Sequence, residues 1–386
     1  HDGTHSHFNS LVQVDTNTYA MAYSGPSWDA YLATFTIPTD GKSITEVAQV
    51  EHYTANGKNH SLCKVDADTY LLAFSDNSND GFLKTFTIDA DGDITAGVQL
   101  EHDPSYNWFN SLIQLDADTY VLAYTGVNDD GYIKTFTVPA NGGSITQVAS
   151  YRHDSIQGKY NSFVQADSDT YVLAYSGSGN DGFIKTFTIP ADGSSITQVK
   201  KVEHDNVFGQ YNSLVKISGG SDSYVLAYGG PDTQGGSTYD GFIKTFSIPA
   251  DGSTVTETYV MEHSITQGEY NSLVQMDENS FALAMSGSSD DGYVVTFDVR
   301  GSDQVPPTIT SVTLANNNAT IVVILDEIVF STANNSGSLE TSDFALSISG
   351  GTATLSSATP TSISISSNTY TLGFGLSGTP NGSETL

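Results

Sequence analysis

The sequence predicts an all-β fold: a six-bladed β-propeller with four-stranded blades, followed by an immunoglobulin-like β-sandwich. Three observations carry this. The line YNSFVQADSDTYVLAYSGSGNDGFIKTF, starting at Tyr160, returns from Tyr211 and Tyr270, and in looser form from Phe8, Asn59 and Phe109. Each copy holds short runs of Val, Tyr, Phe, Ile and Thr between turns rich in Asp, Asn and Gly, with no helical period. After Pro307 the composition changes to a tail without Lys or Arg, crowded with Ser, Thr, Gly and Asn.

The repeat keeps a strict register. Anchor histidines stand at His1, His52, His102, His153, His204 and His263, at intervals of 51, 50, 51, 51 and 59. Eight residues on comes an Asn-Ser position (Asn9, Asn110, Asn161, Asn212, Asn271), with His60 as the exception. An aspartate follows at Asp29, Asp80, Asp130, Asp181, Asp240 and Asp291, and the late arrival of Asp240 accounts for the longer fifth period. In the fourth tile the predicted strands are 162–166, 171–176, 182–189 and about 196–203. The second of them, YVLAYS, is apolar nearly throughout, as a strand covered on both faces should be. Four short antiparallel strands per tile, repeated six times, mark a propeller. A linear solenoid would turn polar at its terminal repeat. The last tile stays apolar (SLVQM, FALAM), which favours a closed ring. One strand is missing at the closure, because the sixth tile stops after its third; the segment 300–305 or a strand ahead of His1 would fill the place. A seventh, upstream blade stays open as well.

The domain boundaries read 1–303 for the propeller, 304–307 for a proline linker and 308–386 for the sandwich. Runs such as TITSVTL, TIVVIL, SISISS and YTLGFGL alternate apolar with small polar residues, as sandwich strands do. The ending NGSETL reads as a chain cut before its final strand.

With 44 acidic and 13 basic side chains among 386 residues, the formal charge is −31. That lacks the basic footprint of a nucleic-acid or anionic-membrane partner and suits hard cations such as Ca²⁺. Cys63 is alone, so no internal disulfide forms, and in SLCKV it reads as a small core residue. No apolar run approaches the ~18 residues of a membrane span and no signal-peptide pattern is present, so membrane insertion is not expected. The start at His1 reads as a mature form or a fragment.

The tail segments PPTITSVTLANNN, DEIVF, SGSLETSDFALSISGG and YTLGFGLSGTPNGSETL resemble bacterial Ig-like modules found in tandem in large surface proteins of marine Bacteroidetes. The tiles resemble uncharacterised repeats of the same kind of polypeptide. The resemblance implies a secreted or bacterial cell-surface adhesin, with further Ig-like or other modules as partners within a longer chain. It supplies no ligand and no catalytic residue.

Candidate site residues follow from the loop face. The anchor His and loop Asp resemble the paired His and Asp of WD-type propellers, so His153, Asp181 and their equivalents are expected to lock loops through hydrogen bonds, with the tile Ser in the same network. A glycan needs a flat aromatic face and convergent amides, which Tyr160, Asn161, Tyr211, Asn212, Tyr270 and Asn271 offer, with Trp28 and Trp108 near the same loops. VNDDG, SGNDG and SSDDG gather Asp129, Asp130, Asp181, Asp290 and Asp291 as candidate Ca²⁺ ligands without EF-hand spacing; a simple D-G turn, favoured there for backbone reasons alone, is the commoner explanation. His5, His7 and His60 fall outside the register and suit a transition metal. The insertion GGPDTQGGSTY (229–239) lengthens one loop on that face and can form a binding lip. No catalytic fingerprint of the G-x-S-x-G, H-E-x-x-H, P-loop or Rossmann kind occurs. The expectation is therefore an adhesin that is not an enzyme: the propeller binds a glycan or a cell-surface protein and the tail is a spacer. The alternatives are a polysaccharide-degrading enzyme and a structural subunit of a surface appendage.

Overall fold

The computed structural model describes residues 7–218, 222–232, 239–277, 279–287, 291–299, 307–331 and 338–386. His5, Asp290, the middle of the 229–239 insertion and the segment 300–305 lie outside the described residues. The chain divides into two compact units, His1–Val299 and Arg300–Leu386.

The first unit is a succession of antiparallel sheets, one per tile, at 7–53, 58–103, 108–154, 159–205, 210–264 and 269–298; we call them the first to sixth sheets. In the fourth, strands Lys159–Gln165, Thr170–Ser176, Gly182–Thr188 and Thr197–Asp205 pair in chain order. The sixth has three strands. Among the described residues there are eight sheets, not six, because the tail contributes two of its own.

The repeated letters are explained by how one sheet grips the next. Alternate faces of neighbouring sheets interleave: Leu115, Val121, Ala123 and Ile133 of the third pack on Phe163, Tyr171, Leu173, Tyr175 and Phe187 of the fourth. Equivalent clusters join the other consecutive pairs. Each buried Val, Leu or Phe contributes about 1.5–3 kcal/mol, so these faces dominate the stability. The second strands of the second, third and fourth sheets, such as Thr170–Ser176, are buried at every residue because a sheet covers each side.

Polar residues of the tile bridge the same seams. The backbone N–H of Phe163 donates to Ser111 Oγ (3.0 Å), and that of Leu214 to Ser162 Oγ (2.9 Å). Asn212 Nδ2 donates to the Tyr160 carbonyl (3.3 Å) and the Gly209 carbonyl (3.2 Å), and Asn271 repeats the pattern on Tyr211 and Gly268. Thr135 Oγ1 donates to the Gly193 carbonyl (2.7 Å), in a turn where Gly193 takes φ +65°. The Asn-Ser and Lys-Thr-Phe motifs are therefore inter-sheet staples.

No comparable packing joins the sixth sheet to the first among the described residues. Val274, Met276 and Val294 of the sixth and Leu11 of the first are exposed. The closed ring expected from the apolar last tile is corrected accordingly: the apolar residues are there, but their face is open.

In the second unit, strands Ile309–Leu314, Thr320–Leu325, Thr369–Gly373 and Ser362–Ser366 form one sheet in that order around Ile321, Val323, Tyr370 and Leu372. Beside it, Thr354–Leu355 pairs with Leu376–Ser377. This is one full sheet and a two-residue pair, so an Ig-like sandwich of two full sheets is not shown; among the described residues, the Ser- and Gly-rich stretch 347–361 holds only the short strand Thr354–Leu355 and an isolated bridge from Ser349. In NGSETL, Glu384 accepts backbone N–H bonds from Thr352 (2.8 Å) and Ala353 (3.1 Å), which, with that of Asn381, hold its carboxyl down at about 2.

Candidate functional site

The second, third and fourth seams each carry a buried polar cluster at the end of the outermost strand. At the third seam, between third and fourth sheets, Asp154 comes from strand Thr146–Asp154, while Tyr175 and Lys185 come from the fourth sheet. Tyr175 Oη donates to Asp154 Oδ2 (2.8 Å); Lys185 and Lys201 Nζ lie 3.6 and 3.5 Å from the same oxygen. Lys185 also donates to the His153 carbonyl. Burial pulls Lys185 down to about 8, against the opposing pull of Asp154. Burial would raise Asp154, yet the Tyr175 hydroxyl, the Ile156 N–H and the two ammonium groups keep it below the usual carboxylate range. The second seam repeats this with Asp103, Tyr124 and Lys134.

The anchor histidines lie beside these clusters as neutral packing. Burial brings His102, His153 and His204 down to about 3 and His263 to about 4. Neither ring nitrogen of His52, His153, His204 or His263 has a hydrogen-bond partner among the described residues, so the expected His–Asp network is corrected to a steric lock. A Cβ on Gly182 would stand 2.4 Å from the His204 ring, and one on Gly131 2.2 Å from His153. The D-G turn takes glycine for that reason. The aspartate of that turn uses its carbonyl, as Asp130 and Asp181 do toward the N–H of Gly126 and Gly177.

The sequence-predicted residues fall into three groups. Phe109, Tyr160, Tyr211 and Tyr270 form a ladder with centroid spacings of 4.2, 4.5 and 4.7 Å. All four take a left-handed φ of 50–53°, and Phe8 and Asn59 take 54°; that kink turns the carbonyls of Asn59, Phe109, Tyr160 and Tyr211 to the next sheet's Asn and that of Phe8 to His60. Asn161, Asn212 and Asn271 spend their amide hydrogens on those staples. Trp108 donates to Asn79 Oδ1 (3.1 Å) and Trp28 stacks on His7 at 4.8 Å. Asp129 pairs with Lys159 (2.8 Å) and Asp130 with Arg152 (2.6 Å), which meets their charge with a cation already. Asp181 is half-buried and Asp291 exposed. His60 is buried, its Nδ1 3.2 Å from the Phe8 carbonyl, and burial takes it to about 4. Among the described residues no group of three His, Cys, Asp or Glu is placed to hold a metal.

An open cleft lies at the fourth seam, where the insertion breaks the repeat. It encloses about 420 Å³ and is lined by Glu203, His204, Asp205, Asn206, Val207, Pro231 and Lys244. Asp205 is pinned: Oδ2 accepts from Tyr228 Oη (3.0 Å), Oδ1 from the N–H groups of Val207 and Phe208 (both 3.0 Å). Lys244 donates to the His204 carbonyl and pairs with Glu257 (3.0 Å) rather than with Asp205. Glu203 is exposed at the rim. The arrangement offers an ammonium group for a developing negative oxygen and a free carboxylate to take a proton. Sequence reasoning found the insertion but missed Lys244 and Glu203. The separation of 32 residues from His52, His102 and His153 to Lys84, Lys134 and Lys185, stretched at His204 and Lys244, is the signal that could have found the lysine.

Neither a protein-family model nor a curated protein matches the sequence. Solved structures do match in fold. A periplasmic gluconolactonase of Pseudomonas aeruginosa is 11% identical with a TM-score of 0.55, over 75% of this chain and 85% of that one. A putative 6-phosphogluconolactonase of Bacteroides fragilis is 13% identical with a TM-score of 0.52, over 75% and 84%. A protein of unknown function from Dyadobacter fermentans is 12% identical with a TM-score of 0.54, over 78% and 96%. The first unit is thus a propeller-like β fold. These neighbours overturn the adhesin reading, which rested on resemblance of repeats and tail, and they set the expectation of a non-enzyme against proteins described as lactonases.

Proposed function

We propose that the chain is a hydrolase that opens a small carbohydrate-derived lactone in the cleft between the fourth and fifth sheets. The observation that carries the reading is the coincidence of the long insertion with the seam where, unlike the second and third, the described lysine pairs with Glu257 rather than with the Asp after the anchor His. The fold neighbours described as lactonases support the substrate class. In this reading Glu203 takes a proton from water as the oxygen adds to the lactone carbonyl. Lys244 stabilises the resulting oxyanion; the ring C–O bond then breaks, and the proton passes to the leaving alkoxide, giving the open hydroxy acid. Asp205 and Tyr228 are positioning residues that hold the cleft wall.

The same reading takes the six tile sheets as propeller blades and the tail as an Ig-like spacer. It places the protein outside the cytoplasm, in line with the periplasmic neighbour. The test uses δ-gluconolactone as probe and follows acid release in weak buffer. Saturable opening above the spontaneous rate is expected, reduced about 100-fold or more in Glu203→Gln. Opening no faster than in buffer alone would overturn the proposal.

A further inference from the structure

The exposed outer face of the sixth sheet is half of an interface that occurs five times elsewhere in the molecule. Val294 is 73% exposed, whereas its equivalents Leu32, Leu83, Ile133, Ile184 and Ile243 are 0–1% exposed. Met276 is 53% exposed, against 4–8% for Val14, Val65, Leu115, Ala166 and Ile217. The polar half is open too. Ser10, Ser61, Ser111, Ser162 and Ser213 each accept a backbone N–H from the following sheet at 2.9–3.0 Å. Ser272, the sixth of the series, is exposed and accepts none among the described residues. At the other end, Leu11 is 57% exposed where Leu62, Leu112, Phe163, Leu214 and Leu273 are 3–6% exposed.

From these faces we infer that one further four-stranded sheet of this same repeat docks between the sixth and first sheets. The argument is continuity with the established seams. The sixth sheet presents the apolar residues and the Ser hydroxyl that every internal sheet presents to its successor. The first presents what every sheet shows its predecessor. The occupant must carry a Leu or Phe whose N–H reaches Ser272 and an Asn whose amide reaches the Tyr270 carbonyl, on a β-face with aromatics at the Tyr171 and Phe187 positions. A tile of this repeat meets all of these requirements. An unrelated apolar surface meets only the first.

The test keeps the full chain and adds residues 159–203 directly ahead of His1, which restores the register because His1 is the equivalent of His204. The extended chain is expected to melt roughly 5 °C or more above the original. It should also bind several-fold less of a hydrophobic fluorescent dye. Val294→Lys, at the far face, should reverse both gains in the extended chain while leaving the original chain's melting point within about 2 °C, since the site is exposed there. Unchanged melting and dye binding on extension would overturn the inference. So would sedimentation of the original chain as a dimer that Val294→Lys dissolves, because the face would then belong to a second copy.

Discussion

Lowering the pH from 7 to 5 is expected to strip the six-sheet unit of most of its stability. His102, His153 and His204 are held down at about 3 and His60 at about 4, each first by burial, while an unfolded imidazole titrates near 6.5. Between those values the unfolded chain binds protons that the folded chain refuses. The stability they allow is therefore full above 6.5 and is lost as the pH falls toward the folded values. At pH 5 each such residue withdraws about 2 kcal/mol, and the four together about 8 kcal/mol. That is comparable with the 5–15 kcal/mol typical of a whole domain. Falling pH also protonates part of the acidic surface and relieves repulsion within a chain of formal charge −31, but the exposed carboxylates titrate mainly below this window. Urea unfolding followed by circular dichroism at pH 7.5, 6 and 5 measures the effect. In His204→Leu the loss between pH 7 and 5 should shrink by about 2 kcal/mol. A urea midpoint at pH 5 within about 0.3 M of that at pH 7.5 would refute the reasoning.

Three further outcomes follow from the same seams. Gly182→Ala places a Cβ 2.4 Å from the buried His204 ring, and calorimetry should show a loss of about 1–3 kcal/mol. Asn212→Ala removes the donor to the Tyr160 and Gly209 carbonyls, for a loss of about 1–3 kcal/mol by urea unfolding, with no change expected at the exposed Asn77 in a parallel Asn77→Ala control. Lys185 is lowered to about 8 mainly by burial, so the unfolded chain binds the extra proton between pH 8 and 10; stability should rise across that window, and Lys185→Met should flatten the rise in a pH series of melting points.

How much of this was legible in the sequence depends on what each residue answers to. The strands of the fourth tile were read to within a few residues, because alternation and turn chemistry are local. The role of Asn212 was not, because its partner is the carbonyl of Tyr160, in the sheet before it. The carbonyl can accept only because Tyr160 takes a left-handed φ of 52°, which no propensity assigns to a tyrosine. The anchor histidines looked like hydrogen-bonding loop residues, and only the 2.2–2.8 Å approach of a Cβ on the following glycines shows that they are fillers. The tail misled in the opposite direction. Its alternating apolar runs are real, yet Ser and Gly between residues 347 and 361 leave only a two-residue strand and an isolated bridge among the described residues.

The charge of the molecule follows from the same grip between sheets. Lys64, Lys84, Lys134, Lys185, Lys216 and Lys244 each donate to a carbonyl of the preceding sheet, so six of the 13 basic residues act as struts. A lysine suits this work because its stem packs along apolar surface while its head carries three donors. Among the described carboxylates, Asp76, Asp103, Asp154 and Asp205 bridge sheets by accepting from a Tyr hydroxyl, whereas many others stay in the turns, where Asp bonds its own backbone, as Asp15 does to the N–H of Asn17 and Thr18 (both 2.9 Å). An excess of surface negative charge is thus a consequence of building the seams with lysine struts and the turns with aspartate. The cleft at Lys244 is the place where this rule bends: the strut is kept, its carboxylate is replaced by Glu257, and an exposed Glu203 is left at the rim.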